Sequence, residues 1–285
     1  VNDRKAHVAE ERQSGGDRRP RRTSSAAGGS RGGGPRDRPG APRASGPDRA
    51  RRAQPRPQRD DTDQGPSGPR IPEGVEARQL APDVRRELTT LDKSTADYVA
   101  KHLVAAGELL DDDPQAALEH ARAARTRAAR IAAVREAVGI AAYHCGDWAQ
   151  ALAELRAARR MGSRSPLLAL IADCERGVGR PERAIEISHT PEAEHLTGDD
   201  ADELRIVVAG ARCDLGQFEQ ALAVLNSPAL DSTATGETAA RLFYVYAETL
   251  LALGRSDDAL QWFLHAAAAD LEGVTDAEDR VAELG

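Results

Sequence analysis

One short pattern recurs five times in the C-terminal three-quarters of the chain, and no other feature limits its fold as strongly. Each copy has a turn residue, one residue, a bulky or proline position, two residues, then Ala followed by Leu or Ile. The copies begin at Asp112 (DDPQAAL), Gly146 (GDWAQAL), Gly179 (GRPERAI), Gly216 (GQFEQAL) and Gly254 (GRSDDAL), at spacings of 34, 33, 37 and 38 residues. Self-similarity at such a period marks an array of supersecondary units that cannot bury their apolar faces singly. The clearest copy spans Ile131 to Met161. Val134, Val138 and Ala142 fall at helical spacing before Gly146-Asp147, and Trp148, Ala151, Leu152, Leu155 and Ala158 do so after it. That reads as helix, tight turn, helix.

The pattern has a physical logic. Gly146, Gly179, Gly216 and Gly254 supply the positive φ that ends the first helix. Pro114 and Pro181 preset the first turn of the second helix, and Asp113 can cap it. Ala151, Ala184, Ala221 and Ala259 are small where two helices cross closely. Gly139, Ala172, Ala209 and Ala247, with Ala105 in the first unit, are small residues at a matching register of the preceding helix. Gly139, Trp148 and Phe218 are therefore packing residues first.

Charge divides the chain. Residues 1–70 hold 17 Lys+Arg and 9 Asp+Glu; residues 71–285 hold 22 and 37. The balances are +8 and −15, which give the overall −7. Residues 1–70 are rich in Arg, Gly, Pro and Ser and lack aromatics, Leu and Ile. They cannot offset the ~1–2 kcal/mol of backbone entropy lost per ordered residue, so a disordered basic tail is expected. Its arginine pairs suit phosphate contact, but no aromatic is interleaved for base stacking. Three readings stand: a solubilising extension, an arm for nucleic acid, or a segment that folds back on the acidic remainder. Residues 71–94 are expected to form a linker with one short helix over Asp83–Leu91, entered through Pro82.

The N-terminus has no apolar h-region, so no signal peptide is expected. No apolar run nears the ~20 residues a membrane helix needs. Cys145, Cys174 and Cys213 are odd in number and far apart. Reduced thiols within apolar helices of a cytoplasmic protein are expected.

The repeat is similar to the tetratricopeptide repeat. Gly139 matches that family's small position in the first helix, Trp148 and Phe218 its bulky position after the turn, and Ala151, Ala221 and Ala259 its alanine. Leu155, Leu225 and Phe263 match the next bulky site. Arg135 and Arg205 depart from it, standing where the family has an aromatic. The layout also resembles actinobacterial tetratricopeptide proteins with Arg/Gly-rich N-terminal segments, a group with no assigned activity. The resemblance implies an all-α fold, a right-handed α-α superhelix of about five hairpins over residues 95–272, closed by a capping helix within 273–285. The longer periods imply longer linkers at Ser188–Asp199 and Ser227–Gly236.

No phosphate-binding loop, HExxH, GxSxG or paired Cys/His spacing is present, and Gly177-Val178-Gly179 follows a helix and reads as a turn. His189, Glu192, Glu194 and His195 lie in a polar linker and read as solvated side chains, so neither a metal nor a cofactor is expected. Asp199, Asp200, Asp202 and Glu203 read as acids at a helix start. The chain is expected to be no enzyme. The resemblance implies a groove on the first helices that takes a partner protein or peptide. By register this groove includes His102 in the first unit, then Glu136, Tyr143 and His144 in the second. It continues with Asp173 and Arg176 in the third, and Arg241, Tyr244 and Glu248 in the fifth. The Lys/Asn clamp of chaperone-binding members is not reproduced. The expected function is thus a protein-interaction scaffold, with a nucleic-acid- or ribosome-associated factor acting through the tail as the alternative.

Overall fold

The computed structural model describes residues 68–163 and 165–285. The expected tail, with its nucleic-acid reading, lies outside the described residues except at 68–70. Gly68 sits against Tyr98, His102 and Ala123, where an added Cβ would approach within 3.4 Å of each. The chain therefore joins the fold earlier than residue 71, the expected boundary.

Among the described residues the architecture is all-helical, with twelve α-helices. A short α1 (Pro82–Glu87) opens it, with Pro82 in the first turn. The helix expected to reach Leu91 passes instead into a 3-10 turn over Leu88–Thr90, with Leu88 buried. Asp92 then starts a new helix, its carboxylate accepting from Thr95 N at 3.0 Å.

Five helix pairs follow: α2 (Lys93–Glu108) with α3 (Pro114–Ala128), α4 (Ala132–His144) with α5 (Trp148–Arg160), and α6 (Leu168–Gly177) with α7 (Pro181–Ser188). Next come α8 (Asp199–Asp214) with α9 (Phe218–Leu225), and α10 (Glu237–Ala252) with α11 (Ser256–Ala269). A terminal α12 (Ala277–Leu284) packs on α11. The second helix of each pair also packs on the first helix of the next, and α2 touches α4, α6 touches α8 and α8 touches α10. The two long linkers are present. The first holds a 3-10 turn over Ala193–His195, and Gly198 and Gly236 precede α8 and α10.

The turns form as their sequence dictates. Gly146, Gly179, Gly216 and Gly254 have φ of 72°, 76°, 69° and 74°. The residue after each donates back five positions: Asp147 N to Ala142 O, Arg180 N to Glu175 O, Gln217 N to Arg212 O, and Arg255 N to Leu250 O. This pairing satisfies carbonyls that a helix end leaves orphaned. The first unit, with Asp112 in place of glycine, closes differently: Asp113 N donates to Leu109 O and the Asp113 carboxylate accepts from Ala116 N.

The five alanines of the pattern, Ala117, Ala151, Ala184, Ala221 and Ala259, have no exposed surface. Opposite them, a Cβ at Gly139 would come within 2.7 Å of Leu155 Cδ2 and 3.1 Å of the Leu155 backbone N. Buried charge then ties the pairs together. Glu154 of α5 is 5 % exposed and pairs with Arg125 of α3 and with Arg135 of α4, the latter at 2.8 Å. Glu175 of α6 is 1 % exposed and pairs with Arg156 of α5. Arg180 Nε sits 2.9 Å from the other Glu175 oxygen, close enough for ion pairing but off the hydrogen-bond axis. Arg135 thus serves as a charged pin between α4 and α5.

The thiols are unpaired. Cys174 is buried in α6, and burial pushes its pKa up to about 12. Cys145 is not inside a helix but caps the end of α4, with Sγ 3.1 Å from Pro114 O. No described helix is long and apolar enough to cross a membrane.

Candidate interaction cleft

A cleft of about 480 Å³ opens where the first helices of the middle pairs face one another. It is built from α4, α6, α8 and the start of α10. Tyr143 and His144 end α4 and form one wall, with the rings in edge contact at 6.0 Å. Tyr143 is wedged from behind by Trp148, ring centroids 5.1 Å apart. Trp148 in turn lies where a Cβ on Gly177 would collide with its indole. The last residue of α6, a glycine, thereby makes room for a tryptophan, and the tryptophan backs a cleft tyrosine.

The Tyr143 hydroxyl donates to Asp173 Oδ2 at 2.6 Å, and Arg176 Nη1 donates to Asp173 Oδ1 at 2.9 Å. Burial, and then the Asp173 hydrogen bond, hold the Tyr143 phenol well above its ordinary pKa. Arg176 extends across α8. Its guanidinium occupies the space a Cβ on Gly210 would take, and it pairs with Asp214 at 2.8 and 3.2 Å. Arg241 of α10 donates to Glu203 of α8 at 2.8 Å. Burial raises the Glu203 pKa; Arg241 opposes this, while Glu237 and Asp199 add to it.

The floor is apolar: Ala169, Leu170, Ile206 and Val207, with Pro166 exposed at the lip. Its charged lining comprises four carboxylates, Asp173, Asp200, Glu203 and Glu237, against two guanidiniums, Arg176 and Arg241. Asp200 and Glu237 are exposed, and Glu237 reaches Arg241 only at 4.0 Å.

Five of the nine expected groove residues therefore come together: Tyr143, His144, Asp173, Arg176 and Arg241. The other four lie elsewhere. His102 is 1 % exposed, and its Nδ1 lies 2.9 Å from Nδ1 of His120 inside the first pair, so it lines no groove. Glu136 accepts from Ser163 and Ser165 at 2.7 and 2.6 Å, in a separate cleft beside α1. At the C-terminal end α12 occupies the expected groove positions. Glu248 pairs with Arg280 at 2.7 Å, and Tyr244 packs on Phe263 with ring centroids 5.3 Å apart. Sequence reading by repeat register omitted Asp200, Glu203, Gly210, Asp214 and Glu237. A search for opposite charges one repeat apart would have found two of the pairs, Arg176–Asp214 and Glu203–Arg241, each separated by 38 residues.

Among the described residues no group of three His, Cys, Asp or Glu could hold a metal ion. The chain matches no protein-family model and no curated protein.

Proposed function

We propose that the five helix pairs form a right-handed tetratricopeptide-like solenoid that works as a non-catalytic interaction module, binding an extended segment of a partner protein in the α4–α6–α8–α10 cleft. One observation carries this reading. Successive first helices converge on a single open cleft with an apolar floor, an aromatic wall and polar groups at the rim. Such a combination suits a peptide: the floor desolvates side chains, and rim groups fix register. The tyrosine wall adds to this, because a rigid amphipathic ring gains contact area at little entropic cost.

The reading is tested by selecting peptides against the full chain by display and mapping the bound peptide by amide hydrogen exchange. The expected result is slowed exchange in α4, α6, α8 and the first turns of α10. Slowing confined to α5, α7, α9 and α11 would overturn it.

A further inference from the structure

We propose that the cleft takes a cationic segment of a separate partner protein, one in which arginines alternate with aliphatic side chains. The inference rests on the cleft being the binding surface, as argued above, and adds the chemistry of the occupant.

Three observations converge on it. First, the charges in the cleft do not cancel. Arg176 is committed to Asp173 and Asp214, and Arg241 to Glu203. Asp200 has no ion-pair partner among the described residues, and Glu237 has only the distant Arg241. Both acids begin helices, where the macrodipole tolerates them, but both also turn onto the same cleft from neighbouring helices. Second, Glu203 sits beside these acids: burial raises its pKa, Arg241 opposes this, and the Glu237 and Asp199 charges add to the rise. A cation on the rim would offset the like-charge repulsion among Glu203, Glu237 and Asp199. Third, the floor is aliphatic and small, formed by Ala169, Leu170, Ile206 and Val207. An extended segment sends alternate side chains to opposite sides. Aliphatic residues on the floor would leave the intervening ones at the rim, where an arginine fork matches a carboxylate in two hydrogen bonds.

The same floor decides the source. Residues 1–70 of this chain are basic but contain only Val1 and Val8 as β-branched apolar residues, and no Leu, Ile or aromatic. They offer rim contacts without floor contacts. A partner protein's segment with both fits better.

The test is fluorescence anisotropy on the full chain with three labelled octapeptides: alternating Arg–Leu, alternating Glu–Leu, and alternating Arg–Gly. The Arg–Leu peptide should bind about tenfold more tightly than either of the others. Charge reversal at the rim, D200K with E237K, should weaken it about tenfold, and the gentler D200N/E237Q by less. Both substituted positions are exposed, and circular dichroism of each variant should match the parent. A bulky P166W at the exposed lip should weaken every peptide that uses the cleft. Glu–Leu binding as tightly as Arg–Leu, with P166W still inhibitory, would overturn the cationic inference and leave the cleft standing. Equal binding of Arg–Gly would overturn the assignment to a foreign segment. Peptide binding untouched by P166W and by the rim variants would overturn both the inference and the cleft, and so would no binding of any peptide.

Discussion

The guanidinium of Arg176 fills the volume that a side chain at Gly210 would occupy. From there it reaches Asp214, one turn further along α8. A glycine in the middle of a helix costs about 1 kcal/mol relative to alanine. Here that cost is tied to an arginine that walls the cleft and links α6 to α8.

Three glycine-to-alanine changes should therefore behave differently. At Gly139 the new methyl meets the Leu155 side chain and also the α5 backbone. At Gly177 it meets the Trp148 ring. Overpacking of this kind costs about 1–3 kcal/mol, and G139A and G177A should lower the urea midpoint accordingly. At Gly210 the obstacle is the tip of a flexible side chain. G210A should displace Arg176 and gain helix propensity, leaving stability within about 1 kcal/mol of the parent while weakening peptide binding in the cleft.

The His102–His120 pair makes the first hairpin sensitive to acid. Burial, and then the neighbouring imidazole, lower His102 from 6.5 to about 4, and burial also lowers His120. In the unfolded chain both take up protons near pH 6.5. Stability contributed by the neutral pair is complete above that value and is lost as pH falls from 6.5 towards 4. For His102 the loss is on the order of 3 kcal/mol. Urea unfolding at a series of pH values should show it, and H102L/H120L should flatten that part of the profile. An unchanged profile in the double variant would remove the histidines as its cause.

Glu154 gathers Arg125 and Arg135 from two different helices onto one buried carboxylate. E154A should cost about 2–4 kcal/mol, because it strands two partly buried guanidiniums and opens a void. E154Q keeps the shape and one acceptor, so its cost should be smaller. Chemical denaturation of the two variants side by side distinguishes charge pairing from packing.

Arg205 ties α8 to the chain leaving α9. It pairs with Asp202 at 2.5 Å and donates to Leu225 O and to Pro228 O, the latter at 3.0 Å. R205A should leave those carbonyls without a donor and speed amide exchange across residues 226–236, with α4 and α5 unaffected. Equal acceleration in all hairpins would mean global destabilisation instead.

The helix pairs were legible because each marker residue answers a local demand. Positive φ at Gly146, a first-turn Pro181 and a close approach at Ala221 all follow from chemistry within a few residues. The C-terminal helix was legible too, since Asp276–Leu284 is amphipathic and polar. Its position was not: nothing in its composition announces that Arg280 would take Glu248 and lie over the Phe263 ring. The cleft was half legible. Tyr143, Asp173 and Arg176 follow from the resemblance carried over by register, whereas Asp214 and Gly210 matter only because Arg176 reaches across to the neighbouring helix. His102 shows the converse error. Its register matches its counterparts, but the segment from Gly68 and the His120 ring cover it. Register along one helix says which residues share a face, and only neighbouring helices decide which part of that face stays open.

The principal helix contacts never join elements more than three helices apart in the chain. Little loop entropy has to be spent before a contact forms, which favours rapid folding from any of several starting points. Among the described residues, the α1 end and the α12 end share no principal contact. Through these contacts, a change at the His102–His120 pair reaches the α12 end by passing from hairpin to hairpin, and the cleft lies on that route.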